Sequence, residues 1–234
     1  YGNPDVRTPH LERMAEEGVI FDWAYCANPS CVPSRCAVFT GRYPHTCRSR
    51  VNFVLLHPEE RTFPQELGAA GYELAHSGKN HAYPYQGPNS LHEVFDWVYE
   101  VSHSGPVAPN PDPEIQAYQR FLRKIFVDDV KHLGEPWFPA KTPFRKEICN
   151  THLTVEGALC YLRNAKEPFF LHCSIPEPHT PYTAPEPYAS MYDPEKIRLP
   201  ENYRDDLTTK PTYQKITQMV QRMDTEPEHR VREA

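Results

Sequence analysis

Residues 31–42 read CVPSRCAVFTGR, and they place a cysteine, a proline and an arginine where a turn becomes a helix. The segment from Pro29 to Pro33 predicts the turn. Residues Ser34 to Thr40 predict the helix, and Gly41 is suited to end it because glycine readily adopts the left-handed conformation found after helix C-termini.

The residue types in this turn indicate a particular chemistry. A helix N-terminus attracts anions, because its first backbone N–H groups have no partner inside the helix. Pro33 suits such a position, since its ring fixes φ and it lacks the N–H donor that would otherwise be unpaired. Arg35 adds a planar guanidinium group that fits oxyanions. The sequence therefore predicts a turn that handles an anion, with Cys31 as the reactive group at its centre.

Helices alternate with strands on both sides of this turn. Apolar residues at helical spacing, or in short continuous runs, identify the segments, and glycine, proline and capping residues separate them. The predicted segments are a helix between Thr8 and Gly18, a strand from Val19 to Tyr25, a helix from Thr62 to Gly71, a strand from Tyr72 to Ser77, a helix from Thr151 to Ala165 and a strand from Phe169 to Ile175. This order predicts an α/β fold with a mostly parallel central sheet flanked by helices.

Three loops that carry polar residues each follow a predicted strand. They are the turn with Cys31, the loop with Lys79 and His81, and the loop with His179. Because ligands of open α/β sheets bind beyond the carboxyl ends of the strands, we expect these loops to converge. The region from Val101 to Lys146 lacks clear periodicity apart from a helix predicted at 115–130, and it is interpreted as an insertion over the site.

Composition narrows the class of protein. The 234 residues carry a net charge of −6, which argues against a nucleic-acid partner. No apolar run approaches the ~20 residues that a membrane-spanning helix needs. The seven cysteines form no C-x-x-C pair, so a zinc ribbon is disfavoured, whereas disulfides and buried thiols both stay open. The chain opens at Tyr1 with no initiator methionine or signal peptide, so we expect the true N-terminus to lie upstream.

Three motifs together resemble one family. Cys31-Val32-Pro33-Ser34-Arg35 is similar to the C-x-P-S-R signature of the type I, formylglycine-dependent sulfatases, and its flanks, Thr8-Pro9-His10-Leu11 and Thr40-Gly41-Arg42-Tyr43-Pro44, agree with it. Gly78-Lys79-Asn80-His81 looks like the family's G-K-x-H motif, although it continues with Ala82-Tyr83 where the family often has Leu-Gly. Pro178-His179-Thr180-Pro181 is similar to its P-H-x-P loop. The resemblance implies the alkaline-phosphatase-like fold, with residues 1–234 forming part of an N-terminal catalytic domain.

The resemblance also implies a role for each site residue. Cys31 would be converted to formylglycine by a formylglycine-generating enzyme, and its hydrated form would be the nucleophile. Arg35 would help to activate it, Lys79 and His179 would neutralise the sulfate, and His179 would protonate the departing alcohol. His81 would take the proton of the second hydroxyl group. The substrate would be a sulfated small molecule or glycan, in a periplasmic, extracellular or lysosomal compartment by family analogy.

The same family binds a divalent cation, usually calcium, with magnesium as the alternative. Residue 31, as formylglycine, is the only metal ligand that the resemblance assigns within this chain. The family's first Asp pair would precede Tyr1, and its later ligands would follow Ala234. Asp128-Asp129 and Asp205-Asp206 follow no buried strand and are interpreted as solvated charges. Because calcium needs hard carboxylate ligands, we expect this stretch alone to bind it poorly.

Other interpretations compete with these. Cys36 and Arg42 have the C-x-x-x-x-x-R spacing of cysteine phosphatases, but the intervening residues are apolar, so Cys36 is predicted to be a core residue. His172 lies inside a predicted strand and is interpreted as a core histidine. The alternatives for function are a phosphonate monoester or phosphodiester hydrolase of the same superfamily, and a non-catalytic relative that binds sulfated glycans.

Overall fold

A computed structural model describes residues 3–102, 105–107, 112–131, 140–179 and 182–221, together with 228 and 232. Its helices are α1 (Pro9–Glu17), α2 (Cys31–Thr40), α3 (Phe63–Ala69), α4 (Leu91–Val94), α5 (Pro113–Lys131), α6 (Asn150–Leu162) and α7 (Thr212–Gln221). Its strands are β1 (Glu73–Gly78), β2 (Trp97–Ser102), β3 (Gly105–Pro106), β4 (Ala140–Lys141), β5 (Phe169–Ser174) and β6 (Thr183–Ala184). Short 3-10 helices occupy Lys146–Ile148, Tyr188–Ser190 and Pro194–Lys196.

The strands form a central sheet in the order β3-β2-β1-β5. β1 pairs in parallel with β2 on one side and with β5 on the other, and β3 adds an antiparallel edge to β2. The register aligns Gly78 with Ser174, so β1 and β5 end side by side. The predicted fold class, a mostly parallel sheet flanked by helices, is confirmed.

α6 crosses the sheet antiparallel to the strands. The Ser77 hydroxyl, near the end of β1, donates to the Thr154 carbonyl in the first half of α6 at 2.7 Å. At the other end of the helix, the ring of Tyr161 packs against Phe169 at the start of β5. The amino end of α6 therefore lies at the carboxyl edge of the sheet, where ligands of α/β proteins bind.

Two apolar clusters hold these layers together. The first joins α2 and α3 to the sheet through Val32, Phe39, Leu74 and Tyr83, and Phe63 stacks on Phe39 at its rim. The second joins α5 to α6 through Tyr118, Leu122, Ile148 and Leu153, and it includes the fully buried Val101 of β2. Burial of these side chains anchors α2 on one side of β1 and α6 on the other.

Two boundaries follow the local chemistry of the chain. The capping box predicted at Thr62 is present, with the Gln65 side chain accepting from the Thr62 N–H at 2.9 Å. α2 begins at Cys31, three residues earlier than predicted, because the Ser34 N–H already bonds the Ser30 carbonyl at 3.0 Å. Pro33 is accommodated there since it occupies the first turn, where a helix needs no N–H donor.

The strand predicted from Val19 to Tyr25 is wrong. The segment forms bends, and Val19, Phe21, Trp23 and Tyr25 are each more than three-quarters exposed. A strand needs a neighbour to pair its backbone groups, and none of the described strands lies beside this segment. Its apolar residues are typical of a strand, but no described strand pairs with this segment.

Sequence reasoning also missed β2. Asp96 precedes this strand and Glu100 interrupts its apolar residues, and its last two residues fall within the predicted insertion over 101–146. Asp96 nevertheless has a structural task, since its carboxylate accepts from the Leu74 N–H of β1 at 2.8 Å. That the 101–146 region forms an insertion over the site stays a prediction.

A pair of histidines lies in the sheet beneath the loop that leaves β1. His76 is buried; its Nε2 lies 3.0 Å from the Gly78 carbonyl oxygen, and its Nδ1 lies 3.0 Å from Nδ1 of His172. A neutral His76 therefore donates its Nε2–H to the Gly78 carbonyl and accepts a hydrogen bond at Nδ1. The donor of that second bond is the Nδ1–H of His172. Burial lowers the pKa of His76 to about 3 and that of His172 to about 4. The interpretation of His172 as a core histidine is consistent with these contacts.

This pair predicts a loss of stability in acid. Both histidines are neutral in the folded protein at pH values where the unfolded chain, with an ordinary histidine pKa near 6.5, binds protons. The free energy of unfolding should therefore fall as pH is lowered from about 6.5 toward 4, by an amount on the order of a few kcal/mol. Urea unfolding of the intact protein at a series of pH values measures this slope.

The variants H76Q and H10Q separate the pair from other acid effects. H76Q removes one of the buried titrating groups and should flatten the slope, whereas His10 is exposed and its replacement should leave the slope unchanged. An H76Q protein with the wild-type slope would rule out this origin of the acid sensitivity.

Candidate functional site

Cys31 is the first residue of α2 and is half-buried with a free thiol. Asparagine side chains hold the turn before it and the turn it begins. Asn28 accepts from the Ser30 N–H at 2.8 Å, and Asn52 accepts from the Val32 N–H at 3.1 Å. Hydrogen bonds from the backbone N–H groups of Ser30 and Val32 to asparagine side chains thus fix the backbone on both sides of Cys31.

Arg35 lies one turn further along α2 and reaches across to the sheet. Its Nη1 donates to the Ser174 hydroxyl at 2.8 Å and to the Lys79 carbonyl at 3.2 Å. Burial lowers the pKa of Arg35, and the nearby Cys31 opposes that shift. An arginine so fixed is preorganised to face an anion beside Cys31.

Lys79 follows β1 directly, and its side chain is buried. Its N–H donates to the Ser174 carbonyl at 2.7 Å. Burial is the main cause that lowers the pKa of Lys79; Arg35 lowers it further, whereas Cys31 and Glu177 raise it. Cys31, Arg35 and Glu177 therefore all lie close to the Lys79 ammonium group.

Gly78 allows this close approach of β1 and β5. Its φ of +101° lies in the region that favours glycine, and a Cβ there would collide with the Ser174 carbonyl oxygen. Asn80 then fixes the loop that follows, because its side chain accepts from the Tyr83 N–H at 2.9 Å and donates to the Tyr83 carbonyl at 2.8 Å.

His81 is held by this loop in a left-handed conformation, with φ of 52°. Burial lowers its pKa to about 4, and the charges of Lys79, Arg35 and His179 contribute. Its Nδ1 is buried and has no hydrogen-bond partner among the described residues. The imidazole is therefore neutral near pH 7 and can accept a proton.

His179 lies in the loop after β5, where its N–H donates to the Pro176 carbonyl at 3.1 Å. Its charge contributes to the lowered pKa of His81, so the two imidazoles are neighbours. In the same loop, Glu177 accepts from the Thr151 hydroxyl at the amino end of α6, at 2.8 Å.

The structure thus brings all the predicted site residues to the carboxyl edge of the sheet. Cys31 and Arg35 come from the start of α2, Lys79 and His81 from the end of β1, and His179 from the end of β5. Their assignment to catalytic steps stays a prediction. The described arrangement is a cluster of cations and imidazoles around a thiol, which suits an anionic ligand.

Sequence reasoning missed Ser174, which contacts both Arg35 and Lys79. A signal was available, because Ser174 is the last polar residue of a predicted buried strand, directly before the loop with His179. By contrast, the treatment of Cys36 as a core residue is confirmed: it is fully buried, and burial raises its pKa. Arg42 points elsewhere and pairs with the buried Glu60 at 2.6 Å.

The described residues do not fit a calcium ion. No group of three or more histidine, cysteine, aspartate or glutamate side chains that could hold a metal occurs among them. Asp205 and Asp206 accept from the backbone N–H groups of Leu207 and Thr208, as turn-forming residues do. The side chains of Asp128 and Asp129 lie outside the described residues. The part of the chain that the structure describes also has no helix long and apolar enough to cross a membrane.

Taken together, the fold and the site define an α/β protein with an anion site at the carboxyl edge of a parallel sheet. The sulfatase family profile matches residues 1–226. The ulvan-active sulfatase of Formosa agariphila is 30% identical over 213 residues, which cover 86% of this chain and 36% of that protein. The N-acetylgalactosamine-6-sulfatase of Canis lupus familiaris is 31% identical, over 80% of this chain and 38% of that protein. The chain belongs to the sulfatase family.

Solved structures agree on the fold. A phosphonate monoester hydrolase from Silicibacter pomeroyi is similar with a TM-score of 0.67 and 24% identity, over 98% of this chain and 50% of that one. A protein solved in complex with its substrate D-glucosamine-2-N,6-O-disulfate is similar with a TM-score of 0.62 and 22% identity, over 91% and 38%. This chain therefore has the alkaline-phosphatase-like fold, and it spans at most half the length of these relatives.

Ser174 is expected to matter for anion binding although it carries no charge. In S174A the Arg35 guanidinium loses its shortest hydrogen bond, and a bond to a charged group contributes about 1.5–3 kcal/mol. We expect the Kd of the intact protein for inorganic sulfate, measured by calorimetry, to rise by about 10-fold to 100-fold. The matched control is C173A, since Cys173 is the preceding residue of β5 and is exposed. Equal Kd values for S174A and C173A would contradict the linking role of Ser174.

Proposed function

We propose that the intact protein is a sulfuric ester hydrolase that cleaves a sulfate monoester with residue 31, converted from cysteine to formylglycine, as its nucleophile. The observation that supports this most directly is that Cys31 lies close to both Arg35 and Lys79, and that His81 lies close to these two cations in turn. Each group supplies something that transfer of a sulfuryl group requires: fixed positive charge for the sulfate oxygens, and a neutral imidazole to move a proton.

The chain's own residues divide this work. Arg35 and Lys79 bind the sulfate oxygens. Little reorganisation is needed, because Ser174 already holds the side chain of Arg35 and the backbone of Lys79. His179 gives a proton to the oxygen of the departing alcohol as the sulfur–oxygen bond breaks. His81 is neutral near pH 7. It takes the proton of the second hydroxyl group of residue 31, and this hydroxyl then expels the sulfate.

Formylglycine would supply the one property that a cysteine lacks. Its hydrate has two hydroxyl groups. One would lose its proton and bond to sulfur as the bond from sulfur to the alcohol oxygen breaks, and that proton balances the one that His179 gives to the alcohol. The other would then lose its proton and re-form the aldehyde as the carbon–oxygen bond to sulfate breaks, so no water has to attack the sulfur. The conversion requires a formylglycine-generating enzyme as a partner. We assign no step to calcium or magnesium, because the described residues offer such an ion no set of carboxylates.

The names of relatives support a sulfated substrate. One relative is named as active on ulvan, another as acting on N-acetylgalactosamine 6-sulfate, and a third, from Clostridium perfringens, as an arylsulfatase. A sulfated glycan and an aryl sulfate are therefore both substrates to test.

The nucleophile is tested directly by mass spectrometry. We expect the proteolytic peptide that contains residue 31, from intact protein made in its native host, to have the mass of an aldehyde in place of the thiol. C31A should lower kcat for sulfate ester hydrolysis by about 1000-fold or more, as loss of a covalent nucleophile does.

C26A is the matched control, because Cys26 is a nearby exposed thiol outside the site. It should keep wild-type activity. An active protein with an unmodified thiol at position 31, or an active C31A variant, would overturn the proposed mechanism.

Substrate preference separates this proposal from the phosphonate monoester alternative. A sulfate monoester carries one negative charge, whereas a phosphate monoester carries nearly two at neutral pH. We expect kcat/KM to be higher for an aryl sulfate than for the matched aryl phosphonate monoester and phosphodiester. A higher value for either phosphorus ester would assign the protein to that activity, and hydrolysis of none of them, combined with binding of sulfated sugars, would favour the non-catalytic alternative.

A further inference from the structure

Glu177 places a carboxylate beside the cluster of cations around Cys31. It lies in the loop after β5, shortly before His179. One of its carboxylate oxygens, Oε2, accepts a hydrogen bond from the hydroxyl of Thr151, in the first turn of α6, at 2.8 Å. A carboxylate repels anions, so its presence at a site suited to an anionic ligand calls for a physical reason.

Contacts from two directions bring this carboxylate close to Lys79. On one side, the Lys79 N–H donates to the carbonyl of Ser174, which lies one short loop before Glu177 in the chain. On the other side, the Ser77 hydroxyl donates to the Thr154 carbonyl, so that the beginning of α6 lies against the end of β1. The effect on the ammonium group agrees with this placement: burial is the main cause that lowers the pKa of Lys79, and Glu177 is one of the groups that raise it.

The group that holds the carboxylate is neutral. A hydroxyl donor such as that of Thr151 positions a carboxylate without neutralising its charge, whereas a lysine or arginine partner would neutralise it. Glu177 is also half-buried, which limits the screening of its charge by solvent and salt. Its field therefore acts from a fixed position on any anion that Lys79 binds.

We propose that Glu177 determines charge specificity at the site beside Cys31, by favouring anions with one negative charge over anions with two; the naming of the favoured anion as a sulfate monoester rests on the proposed function. Repulsion is proportional to the product of the charges, so a fixed carboxylate disfavours a doubly charged ligand twice as strongly as a singly charged one. A sulfate monoester carries one negative charge, and a phosphate monoester carries nearly two at neutral pH. Arg35 and Lys79 alone would attract the phosphate more strongly, and Glu177 opposes that preference.

The same repulsion acts on the product of the proposed reaction. Hydrolysis of a sulfate monoester releases inorganic sulfate, which carries two negative charges. Two cations such as Arg35 and Lys79 would hold this dianion more tightly than the singly charged ester. A carboxylate near Lys79 reduces that difference and so favours release of the product over release of the substrate.

Binding to the intact C31A protein tests the proposal without turnover. The probes are 4-nitrophenyl sulfate and 4-nitrophenyl phosphate, which share one alcohol and differ in charge, with Kd measured by calorimetry at neutral pH. E177Q removes the charge and keeps an oxygen that can accept from Thr151. We expect E177Q to lower the Kd of the sulfate about threefold and that of the phosphate about tenfold, because doubling the ligand charge squares the fold-change.

Two further variants separate the charge from other effects of the substitution. E177D keeps the charge and should keep the ratio of the two Kd values found in the parent protein. E186Q is the matched control, because Glu186 also precedes a proline and accepts from a hydroxyl group, that of Ser190, but is exposed and is not among the groups that act on Lys79. It should leave both Kd values unchanged.

Three results would overturn the proposal. Equal changes of the two Kd values in E177Q, including no change, would do so because a structural role affects both probes alike. A rise in Kd that is larger for the phosphate would instead assign Glu177 to keeping Lys79 protonated. An E177D protein that behaves like E177Q would show that charge is not the cause. The proposed hydrolysis is judged separately: the expected Kd changes in a protein whose wild type cleaves no sulfate ester would overturn the hydrolysis and keep the charge specificity.

Discussion

Ser174 joins the two chain segments on which the candidate site depends. Its hydroxyl accepts a hydrogen bond from Arg35, one turn beyond Cys31, and its carbonyl accepts one from the Lys79 N–H. Because both bonds meet at one residue at the end of β5, the helix that presents Cys31 and the loop that presents Lys79 keep a fixed separation. The loop with His179 begins just after the same residue, so its origin is set as well.

This arrangement requires that the backbones of β1 and β5 approach each other closely at Gly78. Gly78 is aligned with Ser174 in the register of β1 and β5, and any side chain on it would collide with the Ser174 carbonyl. The carbonyl of Gly78 is in turn held by buried His76, which contacts His172 on the neighbouring strand. The loop that carries Lys79 and His81 is therefore fixed by two contacts, one between His76 of β1 and the Gly78 carbonyl and one between the Lys79 N–H and the last residue of β5. Contacts of this kind give a site on a loop the rigidity of the strands that support it.

The parts of the molecule that sequence predicted well are those determined by local chemistry. The capping box at Thr62 and the glycine after α2 act within a few residues, so their signals are present in the sequence itself. The parts it missed depend on neighbours far along the chain. β2 is a strand because β1 lies beside it, and Val19 to Tyr25 is not one because no described strand pairs with it. Ser174 was overlooked for the same reason, since its importance comes from Arg35, 139 residues away in sequence.

The electrostatics of the site follow from burial rather than from any single motif. Lys79 is almost fully buried next to Arg35, and burial lowers the pKa of both side chains. Placing two cations together away from water is unfavourable unless an anion lies between them. The fold supplies part of the compensation through the carbonyl and hydroxyl oxygens that Arg35 contacts, and through Glu177 near Lys79. Among the described residues, these partners occupy only some of the donors of the two side chains, which leaves other donors for the oxygens of a bound oxyanion. An anionic group placed beside residue 31 would therefore offset the unfavourable free energy of burying the Arg35 and Lys79 charges together.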